Sequence, residues 1–100
     1  MASSQTETRS RVNTRLKYPD RYNVIVYNDD QTPMEFVIHL LVEIFNKNLT
    51  EAKSITMSIH ENGREIAGTY NHEIAKQKLH EATMITRHHG HPLKLAIEKI

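Results

Sequence analysis

The chain contains no cysteine, which excludes disulfides and thiolate chemistry and is compatible with a reducing compartment. It also lacks any apolar run near the roughly 20 residues that a bilayer-crossing helix needs, and no apolar segment follows the N-terminus. The sequence therefore predicts a soluble, unexported, cytoplasmic protein with no membrane partner. Glycine is scarce: Gly63, Gly68 and Gly90 stand far apart, so no glycine-rich loop cradles a phosphate. Ser54 and Ser58 fall within a helical stretch, without the strand-turn-helix elbow that presents a nucleophile. These absences favour a binding module over an enzyme, and no catalytic residue or cofactor is expected.

What is present begins with an uneven charge distribution. The net charge of +1 hides a basic start, in which Arg9, Arg11, Arg15 and Lys17 face Glu7 alone. Val12 and Leu16 are nearly the only sizeable apolar side chains there, too few to offset ordering entropy. Residues 1–19 are expected to form a flexible basic extension and residues 20–100 one domain. The rest of the chain has no lysine and arginine stripe interleaved with aromatics, so no nucleic-acid partner is expected.

Past Pro19, the run Tyr22 to Tyr27 is rich in β-branched and aromatic residues and predicts a first strand. Thr32, Pro33 and Glu35 read as a capping box with proline at the first helical position. Val37, Leu40, Leu41, Ile44 and Phe45 then give one apolar helical face, closing near Asn46. Thr50 is expected to cap a second helix, in which Ala52, Ile55, Thr56 and Ile59 share a face and Asn62-Gly63 supplies the stop. Arg64 to Tyr70 predicts a second strand, with Gly68 at a bulge or a close backbone approach. Asn71 caps a third helix with apolar positions Ile74, Ala75, Leu79 and Ala82, ending at Gly90. Leu93, Leu95 and Ile97 alternate as in a half-buried strand. The order is β-α-α-β-α-β, an α+β domain with a small three-stranded, mostly antiparallel sheet and three helices on one face.

Seven histidines invite a metal hypothesis. Around Gly90, His88, His89 and His91 are not expected to share a face, and no paired carboxylate completes a site. The zincin spacing is absent too, since Lys76 and Met84 occupy the second-ligand positions after His72-Glu73 and His80-Glu81. The stretch Asn28, Asp29, Asp30 is more informative. One Asx side chain makes a turn, and the cap falls to Thr32, so two polar side chains remain. Just before a helix N-terminus they form an acceptor-rich rim suited to a cation, or, alternatively, local Asx turns.

With "NDDQTPMEFVIHLL" followed by "ITMSIHENGREIAGTY", "NHEIAKQKLHEA" and "HHGHPLKLAIEK", residues 22–100 closely resemble the ClpS family of N-degron adaptors. The resemblance implies an adaptor that binds proteins with a free N-terminal bulky apolar residue (Leu, Phe, Tyr or Trp) and hands them to a Clp AAA+ unfoldase of ClpA or ClpC type, through that partner's N-terminal domain. It implies that Asn28, Asp30 and His60 contact the α-amino group, with Asp29 and Thr32 shaping the rim, and that a neighbour fixes the second nitrogen of His60. Met34, Val37, Thr56, Ile59 and Leu93 would wall the side-chain pocket, and Met34 would disfavour β-branched first residues. The family usually has Met where this chain has Thr56, so a wider, more polar wall is expected, with larger aromatics gaining on Leu. Glu73 and Lys78 match positions the family uses to grip the unfoldase. The rival reading from the sequence is a ribosome- or nucleic-acid-associated α+β module using the arginine-rich tail.

Overall fold

The computed structural model describes residues 20–100, and the expected basic extension, residues 1–19, lies outside the described residues. Within them the elements are β1 (Arg21–Tyr27), α1 (Met34–Glu43), α2 (Leu49–Asn62), β2 (Arg64–Asn71), α3 (His72–His88) and β3 (Leu95–Lys99). The sheet order is β2-β1-β3, and both pairings are antiparallel. Strand alternation divides the central strand between two faces. Val24 and Val26 join Leu40, Leu41, Phe45, Ala52, Ile59, Ala75, Ala82 and Leu93 in the core, while Asn23, Ile25 and Tyr27 face the other way.

On that opposite face, Ile25 is nevertheless only 1% exposed. The register sets Arg64 of β2 opposite Tyr27 and Glu98 of β3 opposite Asn23. These two side chains meet across β1 through paired hydrogen bonds of 3.0 and 3.2 Å. The guanidinium and the Lys94 ammonium also lie over the Tyr27 ring, at 5.5 and 5.3 Å from its centre.

The expected bulge is present. Val24 pairs with Gly68 but Ile25 with Ile66, leaving Ala67 as the extra residue of β2. Gly68 also meets the close-approach expectation, because the Tyr70 ring occupies the space a β-carbon would need.

Helix starts follow the sequence less closely. The capping box at Thr32 does not form: Pro33 holds the cap position, without a side-chain cap bond, and the Thr32 hydroxyl donates instead to Asp29 Oδ2 at 2.6 Å. The second helix begins earlier than expected, at Leu49. Its cap is Asn48, whose Oδ1 accepts from Glu51 N at 2.8 Å. Asn71 caps α3 as expected, accepting from Ile74 N at 2.9 Å. Gly63 ends α2 with φ of 88°, the left-handed conformation that glycine adopts without a Cβ penalty. In α3, Ile74 is exposed rather than apolar-faced, and Thr86 is buried in its place among the inward positions.

Candidate functional site

Two backbone bonds gather the site around the end of β1. Asn28 N donates to Gly63 O at 2.8 Å, drawing the last turn of α2 to the β1–α1 loop, and Tyr27 N donates to Lys94 O at 3.0 Å, drawing in the approach to β3. Helix α1 starts directly after that loop. Three segments distant in sequence therefore surround one cavity of about 280 Å³, lined by Asn28, Asp29, Asp30, Thr32, Pro33, Met34, Val37, Thr56, Ile59, His60 and Leu93. The ten residues expected to form a rim and a pocket thus border a single hollow. Pro33 was not among them, and its place between Thr32 and Met34 was the signal that it belonged.

Polarity is graded along this cavity. Val37, Thr56, Ile59 and Leu93 are buried, whereas Asn28, Asp30, Met34 and His60 are exposed and Asp29 is half-buried. Thr32 holds the Asp29 carboxylate, and Asn28 Nδ2 stands 3.5 Å from Asp30 Oδ1, the outer limit of a hydrogen bond. Neither carboxylate forms an ion pair with another described residue. No described residue fixes a nitrogen of His60, which lies in the last turn of α2. The Thr56 hydroxyl donates to Ala52 O at 2.8 Å within its own helix. Its proton is therefore committed, and that wall is less polar than the residue type suggests. The arrangement offers charged and neutral acceptors at the mouth of an apolar socket, a combination suited to a ligand with a cationic head and an apolar side chain.

The other expected contact residues are not part of this cavity. Glu73 is exposed and borders a shallow hollow with Lys76, Gln77 and His80. Lys78 is half-buried on a different side of α3: its Nζ donates to Ile44 O at 2.7 Å and lies 6.0 Å above the Tyr70 ring. The rings of His89 and His91 stack at 6.3 Å, with Phe36 at 5.3 and 4.6 Å from them. Among the described residues, no group of three or more His, Cys, Asp or Glu is placed to hold a metal ion, and no helix is long and apolar enough to cross a membrane.

Comparison with known proteins bears on the same cavity. The family model described as ATP-dependent Clp protease adaptor protein ClpS matches residues 17–96. The ATP-dependent Clp protease adapter protein ClpS of Desulforapulum autotrophicum is 39% identical over 97 residues, which cover 97% of this chain and 93% of that protein. Its counterpart in Clostridium acetobutylicum is 42% identical over 86 residues, covering 86% of this chain and 85% of that one. Among solved structures, Agrobacterium tumefaciens ClpS2 bound to L-phenylalaninamide is similar with a TM-score of 0.79 and 32% identity, over 82% of this chain and 99% of that chain. A match over most of the sequence, relatives aligned along nearly their full length and a common fold lead to one conclusion: the chain belongs to the ClpS family of Clp protease adaptors.

Proposed function

We propose that this adaptor captures proteins by a free N-terminus bearing a bulky apolar residue, seats that side chain in the cavity of α1, α2 and Leu93, and delivers the cargo to a Clp AAA+ unfoldase. The observation that carries this reading is the graded cavity: carboxylates without an ion-pair partner among the described residues at its mouth, and apolar walls behind them. Its volume of about 280 Å³ lies just below the range of ligand pockets, about 300 to 1,000 Å³, and suits one side chain better than a larger molecule. The ligand of the Agrobacterium tumefaciens neighbour, L-phenylalaninamide, has the same two chemical parts, an amine and an aromatic side chain.

In this reading Asn28 and Asp30 accept hydrogen bonds from the α-ammonium, which has an ordinary pKa of about 8, and neutral His60 adds an acceptor nitrogen. Thr32 holds Asp29 at the rim. Glu73 and Lys78, on different sides of α3, both contribute to the unfoldase contact, and Lys78 shares its ammonium between that role and the Ile44 carbonyl. The chain performs no bond chemistry itself.

The test is fluorescence anisotropy with Leu- and Phe-initiated peptides, each with a free or an acetylated N-terminus. Acetylation removes the charge and two donors, leaving the rim acceptors unpaired at about 1 to 3 kcal/mol or more, so only the free-amine peptides bind. Equal binding of the acetylated forms overturns the reading.

Met34, 41% exposed at the mouth, would in this reading crowd the extra β-substituent of a branched first residue. Met34→Ala therefore improves binding of Ile- and Val-initiated peptides, and no improvement removes Met34 as the gate. In the same assay Thr56→Met shifts preference from aromatics toward Leu, and an unchanged ranking refutes a selectivity role for Thr56.

A further inference from the structure

We propose that Arg87 is a positioning residue for the side-chain socket: it holds the segment around Pro92 and so fixes Leu93 at the deep end of the cavity. This inference rests on reading the cavity as a receptor for a bulky N-terminal residue. Arg87 is not among the residues lining that cavity, so it acts through another residue.

The geometry is local and specific. Helix α3 has already ended at this point: Gly90 N donates to Arg87 O at 2.9 Å, His91 N donates to Thr86 O at 3.1 Å, and Gly90 has φ of 76°. The sheet has not yet resumed, because the pairing of β3 with β1 begins at Leu95. Between helix and strand lie residues 89–94, interrupted by Pro92, which has no N–H to donate.

Into that gap Arg87 directs one guanidinium nitrogen. Nη1 donates to His91 O at 3.0 Å and to Leu93 O at 2.8 Å, gripping the backbone on both sides of Pro92. A cationic donor serving two carbonyls makes charge-assisted bonds, stronger than those between neutral groups. Between the Arg87 clamp and the Tyr27 N to Lys94 O bond, the Leu93 side chain is held inward at 1% exposure. The depth of a socket built from α1 and α2 is thus set in part by the far end of α3.

The consequence is a change in selectivity. A long first side chain reaches the Leu93 end, whereas a shorter one rests mainly on Met34 and Val37. Arg87→Met keeps a long unbranched stem and removes the donors. It is expected to weaken Phe-initiated peptides about tenfold and Leu-initiated peptides about twofold, on the scale of one lost charge-assisted hydrogen bond. The ratio of free-amine to acetylated binding is expected to stay at the wild-type value, because the mouth is untouched. Arg87→Lys, which restores a cationic donor, is expected to recover part of the Phe over Leu ratio.

A purely stabilising role for Arg87 would lower the melting temperature and leave that ratio unchanged. The experiment therefore measures Phe- and Leu-peptide affinities for wild type, Arg87→Met, Arg87→Lys, Leu93→Ala and the Arg87→Met/Leu93→Ala double variant, at a temperature where circular dichroism shows each folded. A shifted ratio that disappears in the Leu93→Ala background supports the proposal. An unchanged ratio, or effects of Arg87→Met and Leu93→Ala that simply add, overturns it. If the wild type ignores acetylation, the receptor reading itself fails and this inference goes with it, an outcome distinct from a wild type that discriminates and an Arg87→Met variant that keeps the wild-type ratio.

Discussion

The helix-free face of the sheet and the mouth of the cavity both carry charged side chains, in opposite circumstances. Across that face of the sheet, Arg64 is matched by Glu98 at 3.0 Å, and Lys94 lies over the Tyr27 ring. At the mouth, the hydrogen-bond partners of Asp29 and Asp30 among the described residues are neutral, the Thr32 hydroxyl and the Asn28 amide. Matched charges close a surface, and in this fold they cover Ile25. Carboxylates held in place without a cation keep their acceptor capacity for something that arrives from outside. On the proposed reading, the charge that marks the binding site is the one that the described residues orient and do not neutralise.

The largest expected effect is at the mouth. Asp30→Ala weakens binding of free-amine peptides about ten- to hundredfold, as expected for one hydrogen bond to a charged group, and leaves thermal stability nearly unchanged. Anisotropy and thermal melts on one preparation check both halves. A large stability loss with binding retained would put Asp30 among the structural charges and break the contrast.

An intermediate effect belongs to Glu65, whose carboxyl the Ser58 hydroxyl, and then the Ile66 amide, holds below the ordinary glutamate pKa. A lowered folded-state pKa contributes stability above the unfolded-state value, and this is lost as pH falls through the folded-state one. Ser58→Ala removes the larger cause. Its destabilisation relative to wild type is therefore greatest near neutral pH and shrinks in the acid range, which urea melts at the two pH values measure. A difference that grows on acidification would refute the assignment.

Smallest of all is Arg64→Ala. The Arg64–Glu98 pair is solvent-exposed, and screened pairs of this kind contribute little. The guanidinium pKa is raised, mainly by its hydrogen bond to Glu98, without implying much stability at so open a site. The melting temperature is expected to move slightly, and by less at high salt, with peptide binding unaffected. A marked loss of binding would show that the two faces are coupled.

Much of this was legible in the sequence because it is encoded locally. β-Branched and aromatic content marked the first strand and alternation the last, the 3.6-residue spacing of Val37, Leu40 and Leu41 marked the buried face of α1, and Gly63 and Gly90 marked helix ends. The misread details depend on competition between partners. Both Thr32 and Asn48 stand three residues before a glutamate, yet only Asn48 caps: α1 begins one residue later than the pattern implies, with Pro33 at the cap position, and the Thr32 hydroxyl donates to Asp29. Ile74 has the right residue type for the core but sits in the first turn of α3, where it is exposed, while Thr86, which looked polar, is buried with its hydroxyl unpaired among the described residues. The cavity residues could be named from a resemblance, but their convergence depends on the bonds from Asn28 and Tyr27 to distant carbonyls, which no local pattern encodes.

The bond made by Thr32 also bears on engineering. A side chain that caps a helix adds about 1 kcal/mol; Thr32 lies one residue before the Pro33 cap position and orients a carboxylate, and α1 begins without a side-chain cap. Selection for heat resistance alone would favour new capping side chains at this entry, and the variants that scored best could be those that had released Asp29. A library screened only for survival of heating would then drift toward sturdier proteins with a weaker grip on cargo, so residues 28–34 belong on the list of positions to hold constant.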